Sequence, residues 1–342
     1  MAVGAVLTVA NQGHAAEQST VPQYLRGYGD AFERDPRGAN LQWFRDAKLG
    51  LFVHYNNTSL LPGSKYDPLP EGVTFEALSQ QFRAERFNAE AIADLALAAG
   101  MRYVCFTPYH GGGPYLWQSE FGRPNSCELP AGRDLVAELT RACADRGLGY
   151  LHYVHVSVGQ SHDAVWEKNS GILRELGTNY GPIAGWWFDT SHRYYSNPEF
   201  YPRLKETYAL IRTLQPHSLI SFCEGLTGEE DYVTFEHEYR LLENYQQMPR
   251  ELLPQLSGKP VEICTTLQYD RPGGRGTRMW FNVDRAHHRD IDDVWEHLRK
   301  VRRSGANFLL NTGPVADGSV HPADVATLQA LGQRLREEGF PR

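Results

Sequence analysis

The chain is poor in the features that mark several whole classes of protein. Only 5 of its 342 residues are cysteine. None of Cys105, Cys127, Cys143, Cys223 and Cys264 stands in a C-x-x-C pair, which argues against a cysteine zinc site and a disulfide-dense scaffold. There is no run of Lys or Arg and the formal net charge is −7, so neither nucleic acid nor an anionic membrane surface is an expected partner. No apolar run reaches the length that crosses a bilayer. No G-x-G-x-x-G follows the first strand candidate, and no H-x-H or H-E-x-x-H occurs, so neither a nucleotide cofactor nor a metal is expected. Low-complexity linkers are absent too.

What remains is an ordinary globular composition with many rings. Hydrophobic residues make up 41% of the chain and charged ones 22%, enough for a core of full size. The 7 Trp, 18 Tyr and 15 Phe serve either that core or the lining of a sugar site, and composition alone does not separate the two.

Local patterning supplies the fold. Short β-rich runs alternate with amphipathic helical runs from residue 48 almost to the end. Strands are expected at 49–55, 102–109, 148–156, 183–189, 218–224, 232–238, 261–267 and 306–312. Helices are expected at 87–100, 133–147, 162–177, 197–214, 292–305 and 322–339. The strand runs are apolar on both faces, as parallel strands are when helices cover them outside and side chains fill the centre. The economical reading is one α/β domain, a (β/α)8 TIM barrel over residues 26–342, with a doubly wound open sheet as the alternative. Without a glycine fingerprint, the usual reason for the open sheet is gone. Residues 1–25, opening "MAVGAVLTVANQGHAAEQ", read as the remnant of an export signal or as a disordered N-terminus, and the first reading places the chain in a secreted or periplasmic setting.

Chemistry in this barrel belongs at the C-terminal ends of its strands. There the sequence sets His54 with Asn56, Tyr109 with His110, His152 and His155, Asp189, Glu224, Glu236 with Glu238, Thr265 with Thr266, and Asn311. A lone carboxylate is expensive to bury, so its recurrence around the ring favours a functional face. In "GPIAGWWFDT" (181–190), strand alternation puts Gly185, Trp187 and Asp189 on one face and Trp186 and Phe188 on the other. If Asp189 faces the cavity, Trp187 lies beneath it as a wall for a sugar or its leaving group. Glycoside hydrolysis uses two carboxyl groups, one attacking or directing water and one protonating the leaving oxygen. Glu236, Glu224 and Glu238 are candidates for the second. Glu229, Glu230 and Asp231 are expected to form a solvated loop, and His287 and His288 to lie on the surface. His152 and His155 cannot both face the cavity, being three apart on a strand. His54 and His110 suit hydrogen bonding to hydroxyls.

Over residues 43–340 the chain resembles the α-L-fucosidase family of retaining glycoside hydrolases. Four stretches carry the likeness: "WFRDAKLGLFVHY", "FNAEAIADLALAAGMRYVCFTPYH", "TNYGPIAGWWFD" and "RSGANFLLNTGPVADGSVHPADVATLQALGQRL". The resemblance implies a catalytic barrel with Asp189 at the nucleophile position and Glu236, in "DYVTFEHE", near the usual acid/base segment. It implies sugar contacts for His54, His110 and Trp187, with Tyr153 beside them. The chain departs from the family where the sugar is recognised. H-W-G becomes His54-Tyr55-Asn56, K-H-H-D-G-F loses its second histidine after His110, E-W-Y is reduced to Ser64-Lys65-Tyr66, and Cys223-Glu224 stands where an arginine is expected. The family's C-terminal β-sandwich has no counterpart within these residues.

The expectation is a retaining exo-acting glycosidase that releases L-fucose or a related terminal sugar. Its catalytic candidates are Asp189, Glu236 and Glu224; its substrate-binding candidates are His54, Tyr109, His110, Tyr153, Trp187 and Trp117. A carbohydrate is the expected partner. The retaining route calls for carboxyl groups about 5–5.5 Å apart. The rival is a non-catalytic carbohydrate-binding protein on a degenerate barrel, marked by a cleft with no second carboxyl within reach.

Overall fold

A computed structural model describes residues 21–64, 67–155, 162–190, 201–223, 227–237, 253–269 and 278–341. Eight parallel strands form one sheet: β1 (Leu49–Val53), β2 (Tyr103–Phe106), β3 (Gly149–His155), β4 (Gly185–Asp189), β5 (Leu219–Phe222), β6 (Val233–Glu236), β7 (Val261–Thr266) and β8 (Asn307–Thr312). Their order is β5-β4-β3-β2-β1-β8-β7-β6. Among the described residues the two end strands, β5 and β6, meet through one parallel bridge, Cys223 to Thr234, which brings the ring nearly to closure. The sheet is therefore the expected (β/α)8 barrel, and each of its strands lies within a run anticipated from patterning.

Helices α1 (Gly29–Arg34) and α2 (Pro36–Ala47) precede the barrel. The outer ring contains α3 (Ala89–Ala98), α4 (Leu135–Asp145), α5 (His162–Thr178), α6 (Tyr201–Leu214), α7 (Ile291–Arg303) and α8 (Pro322–Glu338). Their starts are written locally. Asn88, Asp134 and Asp290 each accept a hydrogen bond from the backbone N–H three residues on, satisfying donors that a helix start leaves open. None of the described helices is long and apolar enough to cross a membrane.

Strand alternation divides the core in two. Leu51, Val53, Val104, Phe106, Trp186, Phe188, Ile220 and Phe222 pack outward against the helices. Phe52, Tyr103, Cys105, Leu151, Tyr153, Trp187, Leu219 and Cys264 fill the barrel. At Gly50 a Cβ would come within 2.3 Å of the Tyr103 ring, so only glycine lets that ring lie across β1. The N-terminal end of the barrel is plugged by Tyr24, Leu25, Phe32, Trp43 and Phe44. The Asn40 amide ties α2 to the carbonyls of Ala184 and His217, and Asn307 donates to the Phe44 carbonyl.

Three sequence expectations need correction. Tyr24 and Leu25 fall in the stretch set aside as residues 1–25, yet both are buried in the plug. Glu230 and Asp231 are not a solvated acidic loop. Glu230 is fully buried, accepting from the Tyr208 hydroxyl and the Thr227 N–H, and Asp231 accepts from Arg212 and the Ile220 N–H. Burial is possible because each carboxylate meets donors. His288 is no free surface residue either: its Nδ1 lies 2.6 Å from Oδ1 of the buried Asp324.

Candidate active site

Polar side chains collect at the C-terminal mouth of the barrel, one strand end after another. β1 delivers His54, whose Nδ1 lies 2.7 Å from Asn311 Oδ1 on β8. The Asn311 amide donates to Thr266 Oγ1 and to the Trp280 carbonyl, so its oxygen faces His54 and the imidazole proton sits on Nδ1. β3 delivers Tyr153 and His155. The Tyr153 ring stacks between His110 at the rim (5.4 Å, 13°) and Trp187 below (5.6 Å, 20°). Its hydroxyl donates to Asp189 Oδ2 at 2.6 Å, while the Thr190 N–H donates to Oδ1 at 2.5 Å. The two bonds fix the plane of the Asp189 carboxylate.

β6 delivers Glu236. A carboxylate oxygen of Asp189, one of Glu236 and the Cys223 sulfur all lie within 4.8 Å of one another. Among the described residues this is the one such cluster, and its oxygen and sulfur atoms are also the available ligands for a cation. Backbone geometry is unusual directly after both carboxylates. Thr190 (φ 71°) and His237 (φ 56°) are two of four non-glycine residues with positive φ among those described. A β-branched residue resists that region, so the chain accepts strain at Thr190, directly beside Asp189. His237 is held by a 2.6 Å contact from Nδ1 to Thr265 Oγ1 and lies against Trp280 (4.9 Å).

The far wall comes from a segment outside the barrel strands. Gln268–Tyr269, Arg278–Met279 and His287–His288 make a small antiparallel sheet, which carries Trp280 and Phe281 over the mouth. Trp280 packs against His54 (5.1 Å), and Phe281 stands edge-on to His54 and His110. Gly313, after β8, makes room for this segment: a Cβ there would sit 2.6 Å from Asn282 N and 2.8 Å from the Trp280 carbonyl.

Asp189, Glu236, His54, His110 and Tyr153 thus come together, and Tyr109 stands at the same rim, stacked on Tyr115 at 4.2 Å. Two expected contacts do not. Trp187 is only 1% exposed because Tyr153 and Phe52 cover it, so it underlies the site instead of walling it. Trp117 is fully buried in the outer core and donates to Glu175, so it offers no face to a ligand. Glu224 and Glu238 lie outside the described residues. Trp280, Phe281, His237 and Glu262 escaped the sequence reading. The adjacent rings of "MWFN" in a polar, glycine-rich stretch were an available signal for the first two, and a glutamate inside the strand run "VEICTT" was one for the last.

Glu262 lies one layer below. Fully buried, it accepts from Tyr103 OH (2.5 Å), Trp187 Nε1 (3.0 Å) and Thr234 Oγ1 (3.1 Å). Burial raises its pKa to about 7, against the lowering pull of these donors.

Comparison with known proteins follows the same outline. The family model described as Alpha-L-fucosidase matches residues 16–339. Tissue alpha-L-fucosidase of Rattus norvegicus is 26% identical over 332 residues, covering 87% of this chain and 68% of that protein. Plasma alpha-L-fucosidase of Homo sapiens is 24% identical over 336 residues, with 87% and 68% covered. Among solved structures, alpha-L-fucosidase isoenzyme 1 from Paenibacillus thiaminolyticus superposes with a TM-score of 0.73 at 24% identity, covering 89% of this chain and 77% of that one. Unliganded alpha-L-fucosidase AlfC from Lactobacillus casei gives 0.64 at 21% identity, with 87% and 99% covered.

Proposed function

The chain belongs to the alpha-L-fucosidase family, a family of glycoside hydrolases, and from that premise we propose that it is a retaining exo-glycosidase acting on terminal L-fucose or a closely related sugar. Asp189 attacks the anomeric carbon while Glu236 gives its proton to the glycosidic oxygen; the bond to the leaving group breaks and a glycosyl ester forms on Asp189. A water molecule then loses a proton to Glu236 and attacks the same carbon, freeing the sugar with its configuration retained and restoring both carboxyl groups. The observation that carries this reading is the approach of the Asp189 and Glu236 oxygens to within 4.8 Å. It accords with the short spacing of retaining enzymes and falls below the roughly 6.5–9.5 Å of inverting pairs. Tyr153 and the Thr190 N–H aim the nucleophile, and His54, His110 and Trp280 supply ring edges and nitrogens for hydroxyls.

The same proximity argues against a purely binding role, which called for no second carboxyl in reach. Cys223, where relatives are expected to carry a sugar-binding arginine, favours altered sugar selectivity, since replacing a pocket's hydrogen-bonding groups changes discrimination by large factors. The test is a panel of aryl glycosides, L-fucoside included, comparing the natural chain with Asp189→Ala. Turnover of at least one glycoside, lost in the variant, is expected. Silence of the natural chain across aryl glycosides and fucosylated oligosaccharides alike, with sugar binding intact, would replace the hydrolase reading with the binding one.

A further inference from the structure

Asp189 and Glu236 stand on strands that the backbone joins weakly. β4 carries Asp189 and pairs with β5 over four residues. Among the described residues β5 meets β6, which carries Glu236, through one bridge, from Cys223 to Thr234, with Asp231 fastened to Ile220 at the base of the seam. The spacing of the two carboxyl groups is thus set across the thinnest part of the barrel wall. Directly beneath, side chains cross that seam from inside. Trp187, two residues before Asp189 and on the same face, reaches over β5 to donate to Thr234 Oγ1 (3.2 Å) and Glu262 Oε1 (3.0 Å). Thr234, two residues before Glu236 and on the same face, donates to the same Glu262 oxygen (3.1 Å). Tyr103 holds the other oxygen from the opposite wall.

We propose that Glu262 is a positioning residue: by clamping Trp187 and Thr234 to one carboxylate oxygen, it fixes the separation of Asp189 and Glu236 one layer above. The inference rests on the retaining reading only for what that separation accomplishes; the clamp itself is a matter of geometry. A buried carboxylate is costly to keep, and a barrel centre otherwise filled by Phe52, Tyr153, Leu151 and Leu309 could be packed with apolar side chains alone. A carboxylate here supplies what they cannot, an acceptor for donors from two strands that have no ladder between them.

Glu262→Met removes the acceptor at similar volume, whereas Glu262→Gln keeps an oxygen for Trp187 and Thr234. In Glu262→Met we expect kcat to fall roughly tenfold to a hundredfold, the cost of misplacing reacting groups by about 1 Å, with KM little changed. Glu262→Gln restores most of the loss. A crystal structure of Glu262→Met should show the Asp189 and Glu236 oxygens farther apart than the 4.8 Å limit seen here. Thr234→Val, which cuts the clamp at its other end, gives the same shift and serves if the methionine variant does not fold. An unchanged carboxyl separation in these variants, or a lowered melting temperature with kcat intact, overturns the proposal. If the natural chain turns over no glycoside, the hydrolase reading falls, and the measured separation still decides the clamp.

Discussion

Asp189 is aimed by two neighbours of different kinds, a phenol from the adjacent strand and the backbone N–H of the residue that follows it. Glu236 shares its layer, and the proposed retaining route assigns it the proton-carrying role beside Asp189 as nucleophile. Replacing Glu236 with Ala should lower turnover of an aryl glycoside about 10²–10⁴-fold, the usual worth of general acid–base assistance. The loss should be smallest for the most acidic leaving group, which departs without a proton. Added azide should accelerate the Glu236→Ala enzyme and yield a glycosyl azide of retained configuration. In an Asp189→Gly enzyme the azide product should be inverted, because azide then replaces the nucleophile itself. Product configuration read by NMR checks both roles, and exchanged outcomes would exchange the assignments.

The loops and turns around the barrel contribute as much as its strands. Both carboxylates are followed at once by residues in the left-handed region, Thr190 and His237, so each strand ends at its carboxylate. The Trp280–Phe281 segment depends on Gly313 in the same way. Gly313→Ala would press a methyl group against Asn282 N and the Trp280 carbonyl, and a well-packed contact of that kind yields only by displacement. The expected result is a several-fold rise in KM with a smaller change in kcat, since the far wall moves while Asp189 and Glu236 stay in place. Steady-state kinetics with an aryl glycoside measure it; an unaltered KM would remove that wall from the binding site.

Across the whole molecule, buried ionisable groups tie stability to pH in opposite directions. Burial lowers His152 from 6.5 to about 3 and His217 from 6.5 to about 4. The unfolded chain therefore takes up these protons first, and stability is lost as pH falls below 6.5. Burial raises Glu262 from 4.5 to about 7. Here the folded chain holds the proton in that window, so this group's contribution is present below 4.5 and is lost as pH rises through 7. Relative to Glu262→Gln, the natural chain should gain stability as pH falls from 7 to 4.5, and the variant should show the steeper acid loss. Melting temperatures of the two proteins across this range give the comparison, and parallel curves would contradict the raised value.

The barrel was legible in the chain because its signals are local. Strand alternation through "GWWFD" and the rule that a barrel's chemistry gathers at strand ends led from sequence to Asp189, Glu236, His54 and His110, and the family resemblance added Tyr153. What lay out of reach depended on contacts between distant residues. Trp187 follows the same alternation as Asp189, yet Tyr153 covers it, and no periodicity tells which ring ends on top. Trp117, Glu230 and Asp231 were misjudged for the same reason, since burial of a ring or a charge is decided by partners such as Glu175, Tyr208 and Arg212 supplied from elsewhere in the chain. Sequence alone determined the strands and the alternation of their faces, because backbone sterics and hydrophobic alternation act between near neighbours, and four motif-bearing stretches carried the family resemblance. Only the nearly closed ring decided which carboxyl groups meet, which aromatic faces the cavity, and where Glu262 finds its three donors, because those are distances across the barrel.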